Sequence, residues 1–236
     1  MGLQRLVVPS AQWPTGPGPL RLSPEQSHYL TRVLRLGKGD RFIALNGQDS
    51  AWLVELTGPD EAQLIEATGC HEPPERALTL FCALPKQGFD EVVRQCTELG
   101  VDRIVPLLSE RTLLRPAPQK LERWRRIMAE AAEQSERLRL PELAEPQDWK
   151  TALGDAQSLP LKGVCWARSQ APLLNQWLLL QDPQEPLGLA VGPEGGWSDR
   201  EVQQAIEADW QPLRLGRQVL RAVTAAPTAI ALARSV

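Results

Sequence analysis

Two glycine-bearing turns hold the residue types best suited to chemistry. In "VGPEGGWSDREV", Val191 to Val202, three glycines and a proline stand between an apolar run and a helix start. A strand feeding such a turn usually presents backbone N–H groups to a ligand. Ser198, followed three residues later by Glu201, matches a capping box, and Asp199 suits the positive end of the helix dipole. No Gly-Lys-Ser/Thr follows, which excludes a Walker loop, and the spacing is not that of a dinucleotide fingerprint. Glu194 and Asp199 lie where a phosphate would have to sit, so a phosphate ligand is disfavoured. A ligand neutral at its base and cationic at its reacting atom, such as S-adenosylmethionine, tolerates those carboxylates; the competing reading is a surface turn with no ligand. The second turn lies in "LRLGRQVLRAVTAAPTAI", Leu213 to Ile230. Here Gly216 permits a sharp exit from a strand ending at Leu215, and Thr224 can cap a helix with Pro227 in its first turn. Two such turns at the carboxyl ends of parallel strands mark where open α/β sheets bind ligands.

Other chemistry finds less support. Cys70, Cys82, Cys96 and Cys165 show no CxxC pairing, and the histidines are His28 and His71. Zinc needs clustered ligands at short spacing, so free thiols and no metal are expected. Net charge is −3, yet "ERTLLRPAPQKLERWRR" sets Arg111, Arg115, Lys120, Arg123, Arg125 and Arg126 against Glu110 and Glu122. Arg32, Arg35, Lys38 and Arg41 form a smaller cluster. Either cluster can track phosphates or be a solvated face.

The elements that must position these residues divide the chain in two. Residues 1–72 read as short strands broken at Asn46-Gly47, which favours a tight hairpin, and at Gly58-Pro59-Asp60. They also carry one helix, "SPEQSHYLTRVLRL", capped by Ser23 with Pro24 at its first position. A small β-barrel with one helix fits, and "HEPPER", His71 to Arg76, suits a linker. Residues 73–236 alternate apolar strands with amphipathic helices. Strands are expected at "ALTLFCALP", "VDRIVPLLS", "KGVCWA", "LGLAVG" and "LRLG". Helices are expected at "KQGFDEVVRQCTELG", "QKLERWRRIMAEAAEQSER", "SDREVQQAIEADW" and "TAAPTAIALARS". That alternation predicts an α/β domain with a mostly parallel sheet covered on both faces. The N-terminus lacks the apolar stretch and cleavage site of a secretory signal, and no run is long enough to span a bilayer, so a cytoplasmic protein is expected.

Several separated motifs, "HYLTRVLRLGKGD", "ALPKQGFDEVVRQCTELGVDRIVPLLSERT", "RWRRIMAEAAEQSER", "GPEGGWSDREV" and "LGRQVLRAVTA", together resemble the SPOUT methyltransferases. Within them the match is to the RsmE-type small-subunit ribosomal RNA uridine-N3 methyltransferases. The resemblance implies a PUA-like RNA-binding β-barrel over 1–72 and a SPOUT domain over 73–236 tied in a deep trefoil knot. It also implies a homodimer whose cofactor pocket lies against the partner chain. S-adenosylmethionine would be held largely by backbone groups at Trp166, Ala167, Leu189, Gly192, Gly196, Leu215, Gly216, Leu220 and Arg221, with Thr224 and Ala225 closing the pocket. The substrate implied is small-subunit ribosomal RNA, free or in the assembled subunit, contacted by Arg32, Arg35, Lys38, Arg41, Arg111, Arg115, Lys120 and Arg123. N3 lies on the pairing edge of uracil, so the target must be unpaired or flipped out. His28 falls in the barrel and His71 in the linker, which leaves no evident base. Arg221 is then the leading candidate to stabilise a developing uridine anion, ahead of Arg111 or Arg115 from the partner. One departure stands out: the family usually reads Arg-x-Glu-Thr in the last motif, whereas here Val223 stands at the glutamate's place. A non-catalytic RNA-binding or ribosome-assembly protein with a degenerate pocket is therefore the main rival reading, and a nucleotide-dependent α/β enzyme a second.

Overall fold

A computed structural model describes residues 3–14, 18–69, 75–113 and 115–236, and contacts group the chain into two units. The linker residues 71–74, with Cys70 and His71, lie outside the described residues. The first unit comprises Met1–Pro73 with Ala132–Leu140, and the second Pro74–Ala131 with Pro141–Val236.

The first unit is a five-stranded sheet of order β1-β3-β4-β5-β2. Its strands are β1 (Arg5–Val7), β2 (Leu20–Arg21), β3 (Arg41–Leu45), β4 (Ala51–Leu56) and β5 (Glu61–Ala67). β1 runs parallel to β3, and the other pairs are antiparallel. The expected helix begins where its cap predicts: Ser23 and Gln26 form a full capping box at α1 (Pro24–His28). It then widens into a π-turn over Tyr29–Val33, closed by the Leu34 N–H donating to Tyr29 O, and Arg35 follows with φ 59. The turn at Asn46-Gly47 is wider than a two-residue hairpin. Asn46 Oδ1 accepts from the N–H groups of Gln48, Asp49 and Ser50, so the side chain organises a loop to Ser50. Leu20, Leu30, Phe42, Ala44 and Val54 are fully buried in the core of this unit.

The second unit is built on a seven-stranded sheet in which every pairing is parallel, ordered β12-β10-β11-β6-β7-β8, with β9 also on β7. In chain order its elements are β6 (Leu78–Ala83), α2 (Phe89–Glu98), β7 (Arg103–Leu108), α3 (Pro118–Gln134), β8 (Glu142–Leu143), β9 (Gln147–Asp148) and α4 (Trp149–Asp155). Next come β10 (Leu161–Cys165), α5 (Leu174–Leu178), β11 (Leu187–Val191), α6 (Asp199–Glu207), β12 (Gln211–Leu213) and α7 (Ala222–Arg234). Both faces of the central strands are buried. In β6, Leu78, Leu80 and Cys82 join one core with α2, α3, α5 and α7, while Phe81 and Ala83 join the other with α4 and α6. That two-residue alternation with no polar face is why "ALTLFCALP" reads as a continuous apolar run. Phe81 meets Trp210 edge to face at 5.3 Å, and Trp149 stacks obliquely on Trp197 at 4.6 Å.

Two boundaries differ from expectation. The edge strand is Gln211–Leu213 rather than "LRLG", because Arg214 leaves the ladder to exchange backbone hydrogen bonds with Pro172 and Leu174. The last helix is capped at Arg221, not Thr224, so Pro227 is its sixth residue and falls beyond the first turn. A proline there leaves the carbonyl four residues back, Val223 O, without its helical donor.

Candidate functional site

The carboxyl ends of β10, β11 and β12 are adjacent, since β10 pairs with both of the others. The chain leaves them through three loops, 166–173, 192–198 and 214–221. Trp166 N–H donates to Leu213 O (2.8 Å). Trp197 Nε1 donates to Cys165 O (3.1 Å), and Arg214 Nε donates to Ala171 O (2.7 Å). The two glycine-bearing turns and the Trp166-Ala167 segment are thereby brought to one edge of the sheet. Leu189 is different: it lies in mid-strand in β11, fully buried.

The first turn is built as its sequence predicts. Ser198 Oγ accepts from Glu201 N–H, and Glu201 Oε2 accepts from Ser198 N–H at 2.8 Å, completing the capping box of α6. Glu201 does more than cap: Oε1 also accepts the N–H of Glu110 (2.9 Å) from the loop after β7, and the side chain is buried. Gly196 has φ +69, in the left-handed region that favours glycine, and its N–H donates to Pro193 O. At Gly192 a β-carbon would lie 3.1–3.3 Å from the Trp197 indole, so a side chain there would push the ring aside by a few tenths of an ångström.

The second turn has uncommitted backbone. From Leu215 to Val223 no N–H finds a protein acceptor among the described residues; the first to do so are Thr224 and Ala225, both onto Arg221 O at the start of α7. Nine donors in a row, with glycine at 216 and no acidic residue from Gln211 to the end of the chain, suit a ligand read through backbone groups. On the neighbouring turn the Glu194 carboxylate is already engaged, its Oε1 accepting from Lys86 N–H (2.9 Å). These features fit S-adenosylmethionine, whose base pairs with backbone donors and acceptors and whose sulfonium needs no anionic ligand. Burial pushes the thiols of Cys82 and Cys165 up to about 12, so neither offers a thiolate at neutral pH. Among the described residues no group of three or more His, Cys, Asp or Glu is placed to hold a metal ion.

The arginines divide by what they touch. Arg221 is exposed at the N-cap of α7, and its guanidinium has no hydrogen-bond or ion-pair partner among the described residues. Arg32, Arg35, Lys38, Arg115 and Lys120 are likewise exposed and unpaired. Arg41 is paired with Glu55 (3.0 Å) and Arg123 with Asp90 (2.8 Å). Arg111 donates to the carbonyls of Gly195 (2.7 Å) and Trp197 (3.2 Å). Two candidates escaped the sequence reading. Arg168 and Arg217 are exposed, have no side-chain partner among the described residues, and lie on the same two loops as Trp166 and Gly216; each was inconspicuous because it stands alone rather than in a run of cations. Val223 is half-buried in the α2/α7 packing, its Cγ1 2.9 Å from where a β-carbon on Gly88 would stand. Beside it, α2 and α7 border an open groove of about 520 Å³ lined by Gln95, Leu99, Thr224, Pro227 and Ala231 among others.

Comparison with known proteins places this geometry. Residues 71–234 match the model of an RNA methyltransferase domain, and residues 22–66 that of an RNA methyltransferase PUA domain. Ribosomal RNA small subunit methyltransferase E of Synechocystis is 44% identical over 216 residues, spanning 89% of this chain and 71% of the relative. Among solved structures, the methyltransferase of the same name from Neisseria gonorrhoeae, bound to S-adenosyl methionine, superposes with a TM-score of 0.87 at 27% identity, covering 99% of this chain and 98% of that one. A methyltransferase of Legionella pneumophila in complex with its cofactor SAM gives 0.90 at 26% identity, covering 100% and 98%.

Proposed function

The chain belongs to the RNA methyltransferase family that includes ribosomal RNA small subunit methyltransferase E, and from that premise we propose that it methylates N3 of a uridine in small-subunit ribosomal RNA. The observation that carries this reading is the convergence of three strand-end loops, one with nine uncommitted N–H groups, beside the unpaired guanidinium of Arg221. Trp166, Ala167, Gly192, Gly196 and the stretch from Leu215 to Ala225 would hold the methyl donor, with Leu189 acting from beneath through the core. When bound, S-adenosylmethionine supplies an electrophilic methyl group on a cationic sulfur.

This chain's residues then have two tasks. One is alignment, since holding the nucleophile in line with the methyl carbon supplies much of the acceleration. The other is charge. As N3 of uridine loses its proton, negative charge spreads onto the ring, and Arg221 stands at the N-terminus of a 13-residue helix with no acidic residue in its first turn. Guanidinium and helix dipole act in the same direction on such an anion.

RNA binding falls to the exposed, unpaired cations: Arg32, Arg35 and Lys38 of the first unit, and Arg115, Lys120, Arg168 and Arg217 of the second. Each phosphate contact releases counterions, so replacing Arg168 and Arg217 together by Ala is expected to lower the slope of log affinity against log salt by about 1.4–1.8. Filter binding of the target RNA across a salt series reads this, and an unchanged slope makes them solvated cations only. A homodimer is part of the same proposal, with the partner chain on the open α2/α7 groove, next to Thr224.

The deciding experiment is mass analysis of small-subunit ribosomal RNA from cells with and without the gene. Loss of one N3-methyluridine is expected; an unchanged modification profile overturns the assignment. Calorimetric titration with S-adenosylmethionine separates the non-catalytic reading, to which Val223 points, because a degenerate pocket gives no binding heat.

A further inference from the structure

The turn after β11 is tied to the rest of the unit on two sides, by Arg111 reaching in from the loop after β7 and by its own Glu194 reaching out to the loop after β6. On one side Arg111 Nη1 donates to Gly195 O and Trp197 O, at 2.7 and 3.2 Å. The stem of Arg111 lies on Gly195 so closely that a β-carbon there would meet its Cδ at 3.2 Å. On the other side the Glu194 carboxylate accepts the N–H of Lys86, in the loop after β6. Arg111 is itself located by its neighbour, since the Glu110 N–H donates to the buried Glu201 carboxylate and the Glu110 side chain pairs with Arg200 at 2.6 Å. That ion pair, with Ser198 also contributing, holds the Glu110 carboxyl below the usual range. β6 and β7 succeed β11 in the sheet, so the turn leans across the ends of both.

Gly195-Gly196 is otherwise the least constrained dipeptide of the site, because glycine loses more conformational freedom on ordering than any other residue. Charge-assisted bonds from Arg111 to the carbonyls on either side of Gly196, those of Gly195 and Trp197, restrict that freedom in the protein before any ligand arrives. We propose that Arg111 and Glu194 are positioning residues that fix the 192–197 turn in its donor-binding conformation and so set the affinity for the methyl donor. This assigns Arg111 a role through the turn rather than through RNA phosphates, and it rests on the reading of that turn as part of the donor site.

The test uses the full chain with Arg111→Ala, Arg111→Lys and Glu194→Ala, each first checked for a cooperative thermal transition; Arg111→Gln carries the same readouts if Arg111→Ala does not fold. Hydrogen exchange of the 192–198 amides in the protein alone is expected to speed up in all three, while the core strands β6 and β11 keep their protection. The dissociation constant for S-adenosylmethionine by calorimetry is expected to rise about ten-fold, as for a site whose competent conformation becomes a minor one. KM for the donor should follow it, with a smaller change in kcat and no change in the salt slope of RNA binding. Arg111→Lys keeps the charge on a side chain one atom shorter, too short to place its nitrogen between the Gly195 and Trp197 carbonyls, so it should not restore donor affinity. A slope lower by about 0.7–0.9 with donor affinity intact, rescued by lysine, overturns the proposal and makes Arg111 a phosphate contact. Unaltered exchange in the turn also overturns it. Absence of donor binding by the unaltered protein would remove the site reading, while the exchange measurement still decides whether Arg111 holds the turn.

Discussion

Arg221→Ala is expected to lower kcat at saturating methyl donor by about a hundred-fold or more, the size of effect seen when one donor to a developing oxyanion is removed. The expectation comes from the surroundings of the side chain. Arg221 is exposed, caps α7, and has no carboxylate or carbonyl partner among the described residues, so its charge is available to the substrate. Arg214, seven residues earlier in the sequence, is by contrast committed to Ala171 O. Arg221→Lys keeps a positive charge without the planar fork and should recover part of the rate. Single-turnover methyl incorporation into small-subunit RNA measures both. Full turnover by Arg221→Ala would leave the anion to the helix terminus alone and end the assignment.

The second large effect is expected in stability. Glu201 is a buried carboxylate that accepts two backbone N–H groups, those of Ser198 at 2.8 Å and Glu110 at 2.9 Å. Removing it leaves two part-buried donors without their acceptor, and each group left unsatisfied costs up to about 1–3 kcal/mol. Glu201→Ala should therefore cost up to about 2–6 kcal/mol, visible as a lower denaturant midpoint at unchanged slope. Glu201→Gln should fall between, since an amide offers one acceptor oxygen and turns an N–H group toward a second N–H donor. A loss below about 0.5 kcal/mol for Glu201→Ala, the range of an ordinary surface change, would show that water replaces the carboxylate at both donors.

What the sequence made legible was local. The N-cap at Ser23, the capping box at Ser198, the doubly buried strand of β6 and the helix closed by Gly100 are all written within a few residues, and the structure has each of them. So is the pairing of two glycine-bearing turns at parallel strand ends, which the sheet brings to one edge through β10. The distant contacts were not. Arg123 meets Asp90 and Arg111 meets Gly195 across intervals no spacing rule covers, so a run of cations that looks uniform in sequence is a mixture of paired, structural and free groups. The edge strand shifted for a similar reason: Arg214 has the pattern of a strand residue but bonds to the loop at Pro172 and Leu174, far away in the chain. Proline in α7 is the opposite case, a local rule overruled by tertiary packing, with Ala226, Ala229 and Ile230 buried on either side of the break.

The segment from Gln211 to Val236 has four arginines and no acidic residue, in a chain whose net charge is −3. The net negative charge therefore lies in the rest of the sequence, and this segment is a local excess of cations on an acidic background. A polyanion is drawn to such an excess before contact, so this segment would contribute to the association rate as well as to the bound state, and the on-rate would fall with rising salt.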